Sequence, residues 1–222
     1  DLRLERPRIV GAIEPGKLII DNYPADKSEL LEVANNLENE EMGTRMVPFG
    51  RELYIDRADF MEEPPRKYFR LFPGNEVRLM NAYFVTCTGC VKDENGKVTE
   101  VHCTYDPETR SGSGFNGRKV KGTIHWVPAR EAVKAEIRLY ENIIDEEKGV
   151  YNEDGSLNLN PYSLTVLKEC YLEPALGAAR PYDKFQFVRQ GYFCVDVKDS
   201  KEGALVFNRI VSLKSSFVLP RA

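Results

Sequence analysis

Histidine is scarce in this chain: His102 and His125 are the only two among 222 residues. Both fall in runs that read as strands, and His125 beside Trp126 reads as a core or surface residue, so general-base chemistry has little to draw on. G-x-S-x-G, H-E-x-x-H and the Walker-type phosphate loop are all missing, which excludes the hydrolase, metalloprotease and P-loop routes that depend on them. Carboxylates are plentiful, yet no spacing singles out an acid/base pair, and no catalytic residue is assigned. Apolar runs never approach the roughly 20 residues that cross a bilayer. The opening DLRLERPRIVGAIEP has no secretory h-region, so a cytoplasmic protein without a membrane contact is expected. Five cysteines (Cys87, Cys90, Cys103, Cys170 and Cys194) make an odd count. A chain of this size buries enough surface to fold without staples, so reduced thiols are expected rather than a disulfide framework. Helical patterns are short, at 128–135 and 173–179, and no residue-level repeat is visible.

What is present is β-type. A hydrophobic content of 42% with 30% charge suits a globular protein of one large domain or two ordinary ones. Short runs separated by turn signals dominate: KLIIDNY (17–23), ELYIDRADF (52–60), EVRLMNAYFVTC (76–87), KVTEVHCTY (97–105) and KVKGTIHWV (119–127). EIRLYENII (136–144), FQFVRQGYFCVDV (185–197) and LVFNRIVSL (205–213) follow. Such spacing predicts barrels or sandwiches rather than βαβ units. Asn95-Gly96 lies between two alternating runs and predicts a hairpin, and Asp154-Gly155 predicts a second turn in a polar loop. A break near 122–128 divides the chain into two halves of similar size.

Two motifs invite chemistry and fail on context. Gly112 to Gly117 spells G-x-G-x-x-G, but the following RKVKGTIHWV is β-branched and alternating. A dinucleotide fingerprint needs a helix there, with its N-terminus on the pyrophosphate. Cys87-Thr-Gly-Cys90 followed by His102-Cys103 resembles a zinc ligand set. Cysteines three apart on a strand point to opposite faces unless a bulge intervenes, so no metal is assigned.

The basic segment at 117–140 is different. It carries Arg118, Lys119, Lys121, Arg130, Lys134 and Arg138 against Glu131 and Glu136, in a chain of formal charge −4. Local cation excess on a net acidic protein points to a phosphate-bearing partner. Arg70, Arg78 and Arg189 each stand beside aromatic residues in β context. RNA loops are read by stacking splayed bases on aromatic or guanidinium planes and hydrogen-bonding their edges. Arginine offers a bidentate pair to guanine, and the Gln186 amide offers an acceptor and donors that match uracil N3–H and O4.

The strings PRIVGAIEPGKLIIDNY, EMGTRMVPFGRELYIDRADF, NEVRLMNAYF, GRKVKGTIHWV, AEIRLYENI, KFQFVRQGYFCVD and VFNRIVSL resemble, in order, the C-terminal anticodon-binding region of bacterial glutaminyl-tRNA synthetase. That family belongs to the class I Glu/Gln synthetases. The resemblance runs from about Pro7 to Leu213. It implies an all-β fold of two β-barrels of the kind shared with a 5S-rRNA-binding ribosomal protein. The expected ranges are 8–123 and 124–215; where the chain crosses between barrels, and whether the N- and C-terminal segments share one, is left open by the sequence.

The resemblance also implies site residues. Arg8 with Gln186 and Arg189 would surround the middle anticodon base, a uracil. Arg70 would read the third base, a guanine, and Arg78 would line the pocket for the first. Phe69 stands where the family pattern has lysine, Met80 where it has arginine, and Val188 where it has glutamate, while LEVANNLENEE replaces a Pro-rich loop. The HIGH-like and KMSKS-like signatures of the parent's Rossmann domain are absent. The expectation is therefore a C-terminal fragment that is monomeric, needs no cofactor and is inactive alone. Its partners would be glutamine tRNA and a catalytic domain in cis, which uses ATP with magnesium. A non-bacterial-type glutamyl-tRNA synthetase, a ribosomal-RNA-binding barrel and a protein-docking module are the other readings left open.

Overall fold

A computed structural model describes residues 2–145 and 148–213. The chain runs through α1 (Leu2–Glu5), β1 (Arg8–Ile9), β2 (Gly11–Ala12), β3 (Pro15–Ile20), β4 (Glu29–Ala34), β5 (Thr44–Phe49) and β6 (Glu52–Asp56). Next come β7 (Glu76–Leu79), β8 (Phe84–Lys92), β9 (Val98–Asp106), β10 (Thr123–Ile124) and β11 (Val127–Pro128). The last strands are β12 (Val133–Tyr140), β13 (Leu164–Leu172), β14 (Lys184–Phe187), β15 (Gly191–Val195) and β16 (Leu205–Ser212). The fold is all-β, in two barrel-like sheets. Among the described residues, helix is confined to α1 and short 3-10 turns, and no helix is long and apolar enough to cross a membrane.

One seven-stranded sheet has the order β10-β7-β8-β9-β3-β6-β11, the other β1-β14-β15-β16-β12-β13-β2. The edge strands explain both closures. β10 and β11 lie at opposite edges of the first sheet, yet only His125 and Trp126 separate them in the chain. β1 and β2 flank the second sheet in the same way, separated by Val10 alone. Each sheet is thus joined edge to edge by one short, kinked segment, which satisfies the backbone groups an open edge would expose. The chain passes between barrels at residues 13–14 and again at 129–132, so N- and C-terminal segments share the second barrel. Residues 214–215 of the expected second range lie outside the described residues.

Alternation builds the two cores. In β6, Leu53 and Ile55 point inward with Leu18, Ile20, Phe49 and Leu79. The intervening Tyr54 faces the other barrel and stacks on Tyr171 of β13, ring centroids 4.0 Å apart and 9° from parallel. Ile9, Ile137, Leu172, Phe187, Phe193 and Phe207 fill the second core. The β4–β5 hairpin adds Leu31, Val47 and Phe49 to the first core. It also sends Arg45 to Glu173 through paired bonds of 2.7 and 2.8 Å, and Glu173 accepts from the Val10 amide at 2.8 Å. A buried, bidentate arginine–carboxylate pair therefore ties the hairpin to the closure of the second barrel.

Several expected elements differ. The run at 76–87 is two strands, because Asn81 turns the chain at φ +59°. The run at 185–197 is a hairpin, β14 and β15, with its turn at 188–190. The expected strand at 119–127 shrinks to the two-residue pieces β10 and β11. No helix forms at 128–135, where Pro128 pairs with Leu53 and Val133 with Leu172. The helix expected at 173–179 is a 3-10 turn at Pro174–Ala178. Asn95-Gly96 does form the β8–β9 hairpin, and Gly155 turns at φ +80°.

Candidate nucleic-acid interface

The closure at Val10 sets up the first part of the site. β1 lies parallel to β14, with Arg8 opposite Gln186 in register. Backbone bonds hold both: the Gln186 amide donates to the Pro7 carbonyl at 2.9 Å, and the Arg8 amide to the Asn35 carbonyl at 2.7 Å. The Arg8 guanidinium donates through Nη2 to Glu38 Oε1 at 2.7 Å. Glu38 also takes bonds from Arg3, and these two arginines, Arg3 foremost, hold its carboxyl below the usual range. Arg8 Nε and Gln186 Oε1 are left, shut off from solvent and without a hydrogen-bond partner. An unmet donor and an unmet acceptor thus sit on neighbouring residues of adjacent strands.

Beyond Gln186 the chain turns sharply. Gln190 N bonds Phe187 O at 2.9 Å, and Arg189 stands at φ +67°, a left-handed conformation uncommon for arginine. Gly191 ends the turn at φ +145°, where a Cβ would meet Val211 O at 2.4 Å. This geometry sends Arg189 and Gln190 across the junction onto the first barrel. Arg189 grips Asp59 with Nη1–Oδ2 at 2.9 Å and Nη2–Oδ1 at 2.8 Å. Asp59, fully buried in the 3-10 turn Arg57–Asp59 that follows β6, also faces Arg70, whose Nε lies 3.3 Å from Oδ1. Arg70 Nη1 further donates to the Ala58 carbonyl at 3.1 Å, which Tyr68 Oη shares at 2.9 Å. Two of the five N–H donors of Arg189 are committed to Asp59, and the rest stay available.

Titratable groups crowd this junction. Gln190 Nε2 donates to Asp56 Oδ2 at 2.8 Å, while Asp56 Oδ1 is shut off without a partner. Burial, with the Asp59 charge adding to it, pushes the Asp56 carboxyl up to about 7. Burial likewise lowers His125 to about 4, reinforced by the nearby Arg189 cation, and its Nδ1 is unpartnered. A neutral imidazole fits the barrel closure better than a catalytic base.

Arg78 belongs to a different cluster. From β7 it donates to Ser111 Oγ at 2.8 Å and lies 4.3 Å from the Phe84 ring centroid. Burial lowers its pKa. Met80 turns elsewhere, bordering a small cavity with Val10, Asn81, Trp126 and Glu173. Much of the basic segment is also spoken for. Arg118 binds Glu76 at 2.6 and 2.9 Å and Asp106 at 2.8 Å. Lys134 pairs with Glu169, and Arg138 with Glu136 and Asp199. Among the described residues Lys119, Lys121 and Arg130 have no ion pair. Cys87 and Cys90 are offset by a β-bulge. Cys87 is buried opposite Cys103, Cys90 is half-buried, and among the described residues no His/Cys/Asp/Glu group could hold a metal.

The structure thus brings Arg8 beside Gln186 and Arg189 beside Arg70, two clusters linked through the β14–β15 hairpin, while Arg78 contacts a different set of residues. Sequence reasoning missed Asp59, Glu38 and Gln190. Asp59 is one of several charged residues in the short turn after β6, and its partners lie 11 and 130 positions away, so nothing local singles it out.

Two family models match the chain, both described as the anti-codon binding domain of class I tRNA synthetases (E and Q), over residues 6–106 and 123–196. The chain belongs to this family of anticodon-binding domains. It is similar to the glutamine–tRNA ligases of Clostridium perfringens (56% identity over 99% of the chain) and Clostridioides difficile (55% over 98%). That of Pseudomonas syringae pv. tomato is 48% identical over 98% of the chain. The chain spans 40%, 39% and 38% of those relatives, about two fifths of their length.

Proposed function

We propose that the chain is the anticodon-binding part of a glutamine–tRNA ligase and reads the anticodon loop of glutamine tRNA. The observation that carries this reading is the unmet pair at Arg8 Nε and Gln186 Oε1, on adjacent strands in register. Uracil presents a carbonyl acceptor beside an N3–H donor, the complement of that pair. A small rotation of the amide or guanidinium on binding would expose both groups, relieving a buried desolvation cost of roughly 1–3 kcal/mol per group. Arg189 closes the same pocket, Arg70 presents its planar guanidinium fork to a guanine, and Arg78 over Phe84 lines the place of the first base. Lys119, Lys121 and Arg130 supply phosphate contacts that set register without reading sequence.

The whole protein would join glutamine to its tRNA with ATP and magnesium, through a catalytic domain in cis, in the cytoplasm and as a monomer. Binding of the 222-residue chain to hairpins carrying the anticodon loop tests the reading. Preference for a middle uracil and third guanine, with steep log–log salt dependence, is expected. Higher affinity for 5S rRNA, or salt-insensitive capture of a protein, would replace it with one of the rival readings. Charging of glutamine rather than glutamate tRNA by the whole enzyme separates the two synthetases.

A further inference from the structure

Phe69 and Arg70 are neighbours in the chain, yet they face different surroundings. Arg70 turns to Asp59, whereas Phe69 is 49% exposed beside a cavity of about 380 Å3 that Phe72, Asn75, Lys119 and Lys121 also line. The Phe69 ring packs into neither apolar core. Lys121 Nζ stands 5.7 Å from its centroid, a cation–π contact worth little at an exposed site. Among the described residues neither Lys119 nor Lys121 has an ion pair. Glu76 is the carboxylate on the cavity wall, and both its oxygens are bound by Arg118.

The backbone beneath the ring is fixed. Gly122 approaches so closely that a Cβ there would sit 1.9 Å from the Phe69 carbonyl oxygen, and Asn75 Nδ2 donates to Arg70 O at 2.6 Å. An exposed aromatic ring on a rigid backbone, beside two uncommitted ammonium groups, is what single-stranded nucleic-acid sites use. The ring stacks a base, and the cations follow the phosphates.

We propose that Phe69, with Lys119 and Lys121, forms an RNA subsite that stacks the unpaired base flanking the one read by Arg70 and neutralises its phosphate. It rests on the anticodon-reading function above and adds a fourth nucleotide to it. The arriving base takes the place of Lys121 over the ring, and the displaced ammonium moves to the phosphate of the same nucleotide.

The test uses the 222-residue chain and an anticodon hairpin with 2-aminopurine just 3′ of the third anticodon base. Binding should quench its emission. Phe69→Ala should abolish the quench and weaken binding about tenfold, while Phe69→Trp keeps both. Lys119→Ala with Lys121→Ala should flatten the log–log salt slope by about 0.7, one single-strand phosphate's worth. Emission unchanged when the wild-type chain binds, or quenching that survives Phe69→Ala, overturns the subsite. If anticodon preference persists in that event, only the subsite fails. If the chain binds no hairpin, or binds all anticodons equally, the anticodon reading falls as well.

Discussion

Arg189 and Arg70 come from different barrels and meet on one carboxylate. Arg189 holds both oxygens of Asp59 at 2.8 and 2.9 Å, and Arg70 Nε reaches Oδ1 at 3.3 Å. Asp59 has no exposed surface, so it contacts no ligand itself and acts through the two guanidinium groups. A carboxylate shared in this way fixes the distance between residues assigned to the middle and third bases.

Asp59→Asn should therefore relax discrimination at both positions together, which separate pockets would not do. It should also destabilise the fold by about 3 kcal/mol, because Arg189 loses its buried counter-charge. Urea denaturation gives the second quantity, and hairpin binding with each base varied gives the first. Loss of preference at one position alone would show that the sites are uncoupled.

Gln186→Ala should weaken binding roughly tenfold when the middle base is uracil and little otherwise. Affinities across four hairpins that differ only at that base settle it. An equal loss for every base rejects direct readout by Gln186.

Arg70→Ala should erase the preference for guanine at the third position, and Arg70→Lys should not restore it. An ammonium cannot present the planar fork that guanine O6 and N7 accept. Unchanged preference in a competition assay would remove Arg70 from the reading set.

Asp56 gives a pH signature. Its folded-state pKa of about 7 lies above the ordinary carboxylate value of 3.8. The folded chain then holds a proton that the unfolded chain releases, so this contribution to stability is complete below about pH 4 and is lost as pH rises through 7. Asp56→Asn keeps an acceptor for Gln190 without the charge. Its melting temperature should match wild type near pH 4 and exceed it by several degrees at pH 8. Parallel pH curves for the two proteins would mean that Asp56 ionises freely in the fold. His125, shifted the opposite way, affects both proteins alike and cancels in the difference.

Much of the fold is legible in the alternating runs, and its misses have identifiable causes. Residues 128–135 contain good helix formers, but barrel closure pulls Pro128 and Val133 into opposite sheets. FQFVRQGYFCVDV reads as one strand because Val188, Arg189 and Gln190 are poor turn signals. Arg189 adopts its left-handed turn because Asp59 and the junction reward it. The two-residue strands β1, β2, β10 and β11 have no pattern of their own and exist because they close barrels.

The order of the residues alone determined that this chain is all-β, and it sets Arg8, Arg70, Gln186 and Arg189 in words that resemble the family's, since alternation and local motif are short-range properties. Tertiary structure decided which cations remain free. The basic segment looks uniform in the sequence, yet Arg118, Lys134 and Arg138 are neutralised while Lys119 and Lys121 flank an exposed ring. Charge pairing depends on which strands closure brings side by side, over separations as long as the 130 positions between Asp59 and Arg189. No local pattern encodes a contact of that range.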